Sequence, residues 1–220
     1  MYRIVDENEH FLVISKAAGI AFQNHDDAQG VYRLITSDLN RRLYPVHRLD
    51  KLTSGLLVFA KSPQTCALLA EQFRKRMVTK FYLALVAAKP KKKQGRIQGD
   101  MVKARGGAWK LATTMQNPAI TLFKSCSVRP GLRLIVLKPL TGKTHQLRVA
   151  LKSLGAPIIG DTQYGGLASD RGYLHSFGLG FEFQGKEFCY LDSPKQGELF
   201  ALPEFTKALE AFKDPWVLDW

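Results

Sequence analysis

The residues with the strongest chemical character sit in one nine-residue run, His47-Arg48-Leu49-Asp50-Lys51-Leu52-Thr53-Ser54-Gly55. A single carboxylate, Asp50, lies there among His47, Arg48 and Lys51. The apolar run Leu56-Leu57-Val58-Phe59-Ala60 follows at once and reads as a strand. An acid among cations, on a loop that enters a sheet, is how a chain presents an ionised carboxylate for chemistry. An Arg partner keeps such an acid anionic by lowering its pKa. Read alone, an Asp beside an Arg is most often a turn residue that satisfies backbone amides.

Two other segments carry reactive types at regular spacing. Lys80-Phe81-Tyr82-Leu83-Ala84-Leu85-Val86 has strand period. Phe81, Leu83 and Leu85 then share one face, and Tyr82, Ala84 and Val86 the other. Taken alone, Tyr82 is a strand aromatic packed in a core. Thr141-Gly142-Lys143-Thr144-His145-Gln146-Leu147-Arg148 reads as a turn followed by the basic start of a helix.

Together these segments resemble the RluA-like family of RNA pseudouridine synthases. The first resembles the family signature HRLDxxTSG, with Leu52 where relatives commonly carry an acid. The second is similar to the motif KxYxAxV. The third is similar to TGRxHQIR, with Lys143 in place of the usual Arg and Ala150 where many relatives have His. Lys keeps the charge but loses the bidentate fork. Pro157 to Gly165 resembles a PIxGDxxYG loop, and Tyr173-Leu174-His175-Ser176 an LHA-like strand. Lys16-Ala17-Ala18-Gly19 departs from KPxG at Ala17. The likeness runs from Ile4 to about Phe183. Because it begins so early, the family's optional N-terminal S4 RNA-binding domain is not expected.

The resemblance implies an enzyme that isomerises uridine to pseudouridine in ribosomal or transfer RNA. By that resemblance Asp50 is the catalytic residue, Tyr82 stacks on the target base, and Arg148 pairs with Asp50. Leu147 packs beneath the base, and Arg48 braces the place that the flipped uridine leaves. His47, Lys51, Thr53, Lys143, His145 and Gln146 share those motifs and are candidate substrate-binding residues. Flipping the uridine costs a few kcal/mol, against about 1–3 kcal/mol from stacking on an aromatic ring. The reaction transfers no electron and no external group, so no cofactor is implied. Asp50 either attacks C1′, attacks C6, or acts as a base at C2′; the sequence leaves these open. The implied fold is the α+β pseudouridine synthase catalytic domain, a mixed, largely antiparallel sheet with flanking helices and a central RNA-binding cleft. It would occupy residues 1–220 as a single domain and act as a monomer.

Composition agrees with an RNA partner. The 220 residues hold 32 Lys+Arg against 19 Asp+Glu, a formal net charge of +13. Such an excess favours a polyanion, and nucleic acid is the commonest one. Secreted basic proteins and anionic membrane surfaces are the competing explanations. Arg41, Arg42, Lys51, Arg74, Lys75, Arg76 and the run Lys91-Lys92-Lys93 are expected to meet phosphates, so RNA affinity should fall steeply with salt. Cys66, Cys126 and Cys189 are odd in number and lack zinc spacing. Cys66 and Cys126 read as buried thiols, which fits a reducing, cytoplasmic setting. No apolar run is long enough for a membrane span. His10, His25, His47, His145 and His175 show no i, i+4 pair, so no metal site is expected. The alternative is a non-catalytic RNA-binding module on the same fold, which would not require Asp50, Tyr82 and Arg148 together. A Ser or Cys nucleophile would call for a GxSxG elbow or a Cys/His signature, and neither is present.

The positioning elements follow from pattern. Ile4-Val5 and Phe11 to Ile14 form a hairpin. A helix is expected over 29–43, and another from a Ser62-Pro63 start to about Lys75, burying Leu68, Leu69 and Phe73. Strands are expected at 81–86, 121–123, 132–137 and 181–183, and helices at 144–154 and 202–213. Residues 89–93 read as a mobile loop, and residues 99–121 as short strands and loops.

Overall fold

The computed structural model describes residues 1–24 and 28–220, so His25 lies outside the described residues. The chain opens with β1 (Tyr2–Glu7) and β2 (Phe11–Lys16), the expected hairpin. Asn8 closes its turn, its Oδ1 accepting the His10 and Phe11 amides at 2.9 Å each. Next come α1 (Val31–Asp38), β3 (Tyr44–Pro45), β4 (Ser54–Ala60), α2 (Pro63–Arg74) and β5 (Thr79–Val86). They are followed by β6 (Gln94–Gly99), β7 (Met101–Lys103), β8 (Trp109–Leu111), β9 (Ala119–Arg129) and β10 (Leu132–Pro139). The last elements are α3 (Gln146–Ser153), β11 (Leu174–Phe183), β12 (Lys186–Leu191) and α4 (Pro203–Leu209). The class is α+β with largely antiparallel pairing. Among the described residues no helix is long and apolar enough to cross a membrane.

The chain folds as two compact units. The first comprises residues 1–80 and 175–194. Its strands run in the order β1-β2-β4-β11, with β3 on β4 and β12 on β11. β2 and β4 are antiparallel from Phe11↔Ala60 to Lys16↔Gly55, while β11 joins β4 in parallel at His175↔Ser54 and Ser176↔Gly55. Phe11, Val13, Leu56, Val58, Leu69, Leu179 and Phe181 form its core. Each such aliphatic side chain contributes roughly 1.5–3 kcal/mol by leaving water.

Ser62 starts α2 as expected: its Oγ accepts the Thr65 amide at 3.1 Å, with Pro63 in the first turn. Leu69 is fully buried, but Leu68 is 57 % exposed, contrary to expectation. Successive helical residues point about 100° apart, and α2 turns Leu69 rather than Leu68 toward the core. α1 is shorter than expected; Asn40, in the left-handed region at φ 44, follows its end. Cys66 and Cys126 are half-buried rather than buried. Burial still pushes both thiols up.

The second unit comprises residues 81–174 and 195–220. Here β5 pairs with β10 (Leu137↔Tyr82 to Arg133↔Val86), β10 with β9, and β9 with β6, all antiparallel. β7 and β8 form a separate two-stranded hairpin within the stretch expected to hold short strands and loops. Phe81 is fully buried, its ring 5.2 Å from Trp216 and 5.6 Å from Trp220. The alternation of β5 therefore puts Tyr82 on the opposite face, half-buried. The C-terminal helix is confined to α4 and one following 3-10 turn, Glu210–Phe212.

Candidate active site

The Asp50 loop is held in the first unit by its main chain. The Thr53 amide donates to the Asp50 carbonyl at 3.0 Å, a tight turn that leaves Asp50 half-buried between exposed Arg48 and Lys51. Gly19 N–H donates to the Lys51 carbonyl at 2.8 Å. Lys16 is 1 % exposed, and its ammonium donates to the carbonyls of Ala17 and Ile20 at 2.8 Å each and of Lys51 at 3.5 Å. The KAAG segment is thus the bracket behind the loop. Gly55 has φ +102, and a Cβ there would lie 2.3 Å from the Ser176 carbonyl oxygen. Only glycine lets β4 approach β11 this closely.

His47 points inward. Its ring stacks on Phe73 at 4.4 Å, and its Nε2 accepts the Val58 amide at 3.2 Å. Burial, helped by the charge of Lys80, pushes its pKa down to about 3. A neutral imidazole is required, because a protonated Nε2 could not accept. His47 thereby fastens the loop to β4. Thr53 is 3 % exposed and belongs to the same packed strand entry.

A buried chain of polar groups that pattern reading missed lies beside it. The Ser54 hydroxyl is 2.8 Å from His175 Nδ1, and His175 Nε2 is 2.6 Å from the Asp192 carbonyl oxygen. A carbonyl only accepts, so Nε2 carries the proton, and in the neutral ring Nδ1 accepts from Ser54. The Asp192 carboxylate takes bonds from Arg3 and Ser15. The residue types match a Ser-His-Asp nucleophile set, but Ser54, His175 and Asp192 are each at most 4 % exposed. They tie β1, β2, β4 and β11 together. Only the side-chain types could have signalled it, since Ser54 and His175 are 121 residues apart.

In the second unit the residues from the third motif converge on α3. Its N-cap, His145, takes φ 55, and its Nδ1 is 2.8 Å from the Tyr164 hydroxyl. Gln146 Oε1 accepts from Thr141 Oγ1 (2.8 Å) and the Lys143 amide (3.0 Å). Gln146 Nε2 donates to the Ile120 carbonyl and Thr121 Oγ1, both at 3.0 Å. All four positions of that amide are used inside the protein, so Gln146 stitches the turn to β9. Lys143 reaches Asn117 Oδ1 at 2.8 Å, and Leu147 is buried in the first turn of α3.

Arg148 is 7 % exposed. Its Nε and one Nη each donate at 2.7 Å to the two oxygens of Asp161, itself 1 % exposed. The same Nη reaches Gln163 Oε1 at 2.7 Å, and the guanidinium carbon lies 4.7 Å from the centre of the Tyr164 ring. A planar fork satisfied on both carboxylate oxygens has one orientation. The Asp161 turn hangs from β5: Ile159 N–H donates to the Leu85 carbonyl at 3.0 Å. At Gly160 (φ +82) a Cβ would meet the Arg171 carbonyl oxygen at 1.8 Å, so the turn needs glycine.

The cations expected to meet phosphate are exposed, and some of them hold carboxylate or aromatic partners. Arg41 and Lys61 both reach Glu7 at 2.6 Å, and Arg74 reaches Glu71 at 2.7 Å. The guanidinium of Arg42 lies 5.1 Å from the Tyr44 ring centre. Exposed pairs are worth only about 0–1 kcal/mol, so a phosphate can replace the carboxylate at little cost.

A family model described as RNA pseudouridylate synthase matches residues 10–153, which include Asp50, Tyr82 and Arg148. An uncharacterized RNA pseudouridine synthase of Haemophilus influenzae is 45% identical over 212 residues, 95% of each chain. Ribosomal large subunit pseudouridine synthase C of Rickettsia bellii is 36% identical over 74% of this chain, but that match spans only 56% of the Rickettsia protein. Among solved structures, human RNA pseudouridylate synthase domain containing 1 is 24% identical, with TM-score 0.75 over 96% of this chain and 95% of that one. The last likeness carries the fold.

Proposed function

The chain belongs to the RNA pseudouridylate synthase family, and we propose that it isomerises uridine to pseudouridine at specific sites in structured RNA. The observation that carries this is the family match over residues 10–153, which takes in all three motifs. Asp50 is the essential carboxylate in this reading. The N1–C1′ bond breaks, the base rotates, a C5–C1′ bond forms, and the C5 proton leaves as N1 gains one. Atoms and electrons balance without a cofactor. Tyr82 stacks on the base, Arg48 braces the vacated stack, Arg148 with Leu147 serves the reacting uridine, and Lys51, Lys143 and His145 bind RNA.

The substrate is ribosomal or transfer RNA. The printed name of the Rickettsia relative favours the large ribosomal subunit. Such a substrate would put the enzyme, a monomer, in the cytoplasm. The test is tritium release from RNA labelled at uridine C5 and taken from cells lacking the gene. Wild type should release tritium and Asp50→Asn should not. RNA binding with no release by wild type would favour a non-catalytic RNA-binding module.

A further inference from the structure

We infer that the turn carrying Asp161, Gln163 and Tyr164 is a positioning device for Arg148, with Asp161 its principal residue. The inference rests on the proposed pseudouridine synthase reading and adds residues to its machinery. Arg148 sits on the first turn of a helix whose N-cap is in the left-handed region. A long side chain there has several rotamers, and a charge alone would not choose among them. Asp161 chooses, by taking Nε and one Nη on its two oxygens at 2.7 Å each. Gln163 adds a third bond from that Nη. Beneath them the Tyr164 ring, 1 % exposed, supports the guanidinium face.

The turn is itself fixed from two sides. The Tyr164 hydroxyl accepts the Trp109 amide at 2.9 Å and meets His145 Nδ1 at 2.8 Å. Gln163 Nε2 reaches the Gly106 carbonyl at 3.3 Å. Trp109 and Gly106 belong to the β7–β8 hairpin, whose exposed cations are Lys103, Arg105 and Lys110. The hairpin and the arginine therefore share one support, Tyr164.

The test separates positioning from folding and from binding. Asp161→Asn, which keeps the shape and removes the charge, is assayed in single-turnover tritium release on the same labelled RNA, with RNA affinity measured in parallel. Positioning predicts a rate at least about 100-fold lower, as for loss of one preorganised electrostatic contact, with affinity within about twofold of wild type by the same reasoning. Tyr164→Phe, which keeps the ring and removes the hydroxyl, should be slowed less. A folded Asp161→Asn protein with a near-normal rate overturns the inference, and so does a rate that falls only in step with affinity. If Asp161→Asn does not fold, Gln163→Leu on the exposed edge of the turn decides: slower turnover at unchanged affinity supports positioning, and an unchanged rate overturns it. Wild type inactive on this RNA would instead count against the proposed function.

Discussion

The loop of Asp50 and the cradle of Arg148 are held by opposite means. In the first unit the fastening falls largely on the loop's main chain, beside the His47 ring: Thr53 N–H to the Asp50 carbonyl, Gly19 N–H to the Lys51 carbonyl, the Lys16 ammonium onto three carbonyls, and Gly55 pressed on Ser176. In the second it runs through side-chain charge, with Arg148 locked by a bidentate carboxylate. Backbone fastening fixes where a loop goes. Charge fastening fixes the side chain itself. In the proposed function the first arrangement carries the reacting residue and the second an orienting one.

Five substitutions bear on this contrast. The largest effect should come from Arg148→Met, which strands Asp161 as a buried charge at roughly 3–5 kcal/mol. Adding Asp161→Leu should return most of that loss, as replacing a buried pair with apolar groups does; urea unfolding measures both. If the double variant is no better than the single one, charge is not what holds the cradle. Gly55→Ala should cost roughly 2–5 kcal/mol from left-handed strain and the clash with Ser176, and no polar substitution nearby should rescue it. Free tolerance of Ala there would undo the main-chain account. Lys16→Met should cost about 1–3 kcal/mol by leaving carbonyls unsatisfied, and it should slow turnover by moving the loop.

The smallest effect concerns His47. Its folded pKa of about 3 lies below the ordinary 6.5, so between those values the unfolded chain binds a proton that the folded ring refuses. Its contribution to stability is complete above about pH 6.5 and is lost as pH falls toward 3. His47→Gln should flatten the loss between about pH 6.5 and 4.5, by on the order of 1 kcal/mol. A slope identical to that of wild type would mean that the histidine titrates normally.

What the sequence made legible was local. The β1–β2 hairpin and the Ser62 cap depend on residues within a few positions of one another, and their signals were readable; the Asp50 loop was legible as a motif, while the residues that hold it, Lys16, Gly19 and Ser176, are distant in sequence. The roles of His47 and Gln146 were not, because their partners, Phe73, Val58, Ile120 and Thr121, are supplied by distant segments. Both belong to the motifs, and their side chains fasten the loop and the turn. Asp161 stood in a recognised loop, yet nothing local said that its carboxylate would take Arg148. Leu68 and Leu69 were indistinguishable as apolar neighbours until the core fixed the rotation of α2.

The most direct measurement is pseudouridine mapping on total RNA from cells lacking the gene, complemented with wild type or with Asp50→Asn. The account predicts that one or a few sites disappear, that wild type restores them, and that Asp50→Asn, though folded and bound to RNA, does not. Restoration by Asp50→Asn, or sites that persist without the gene, would contradict it.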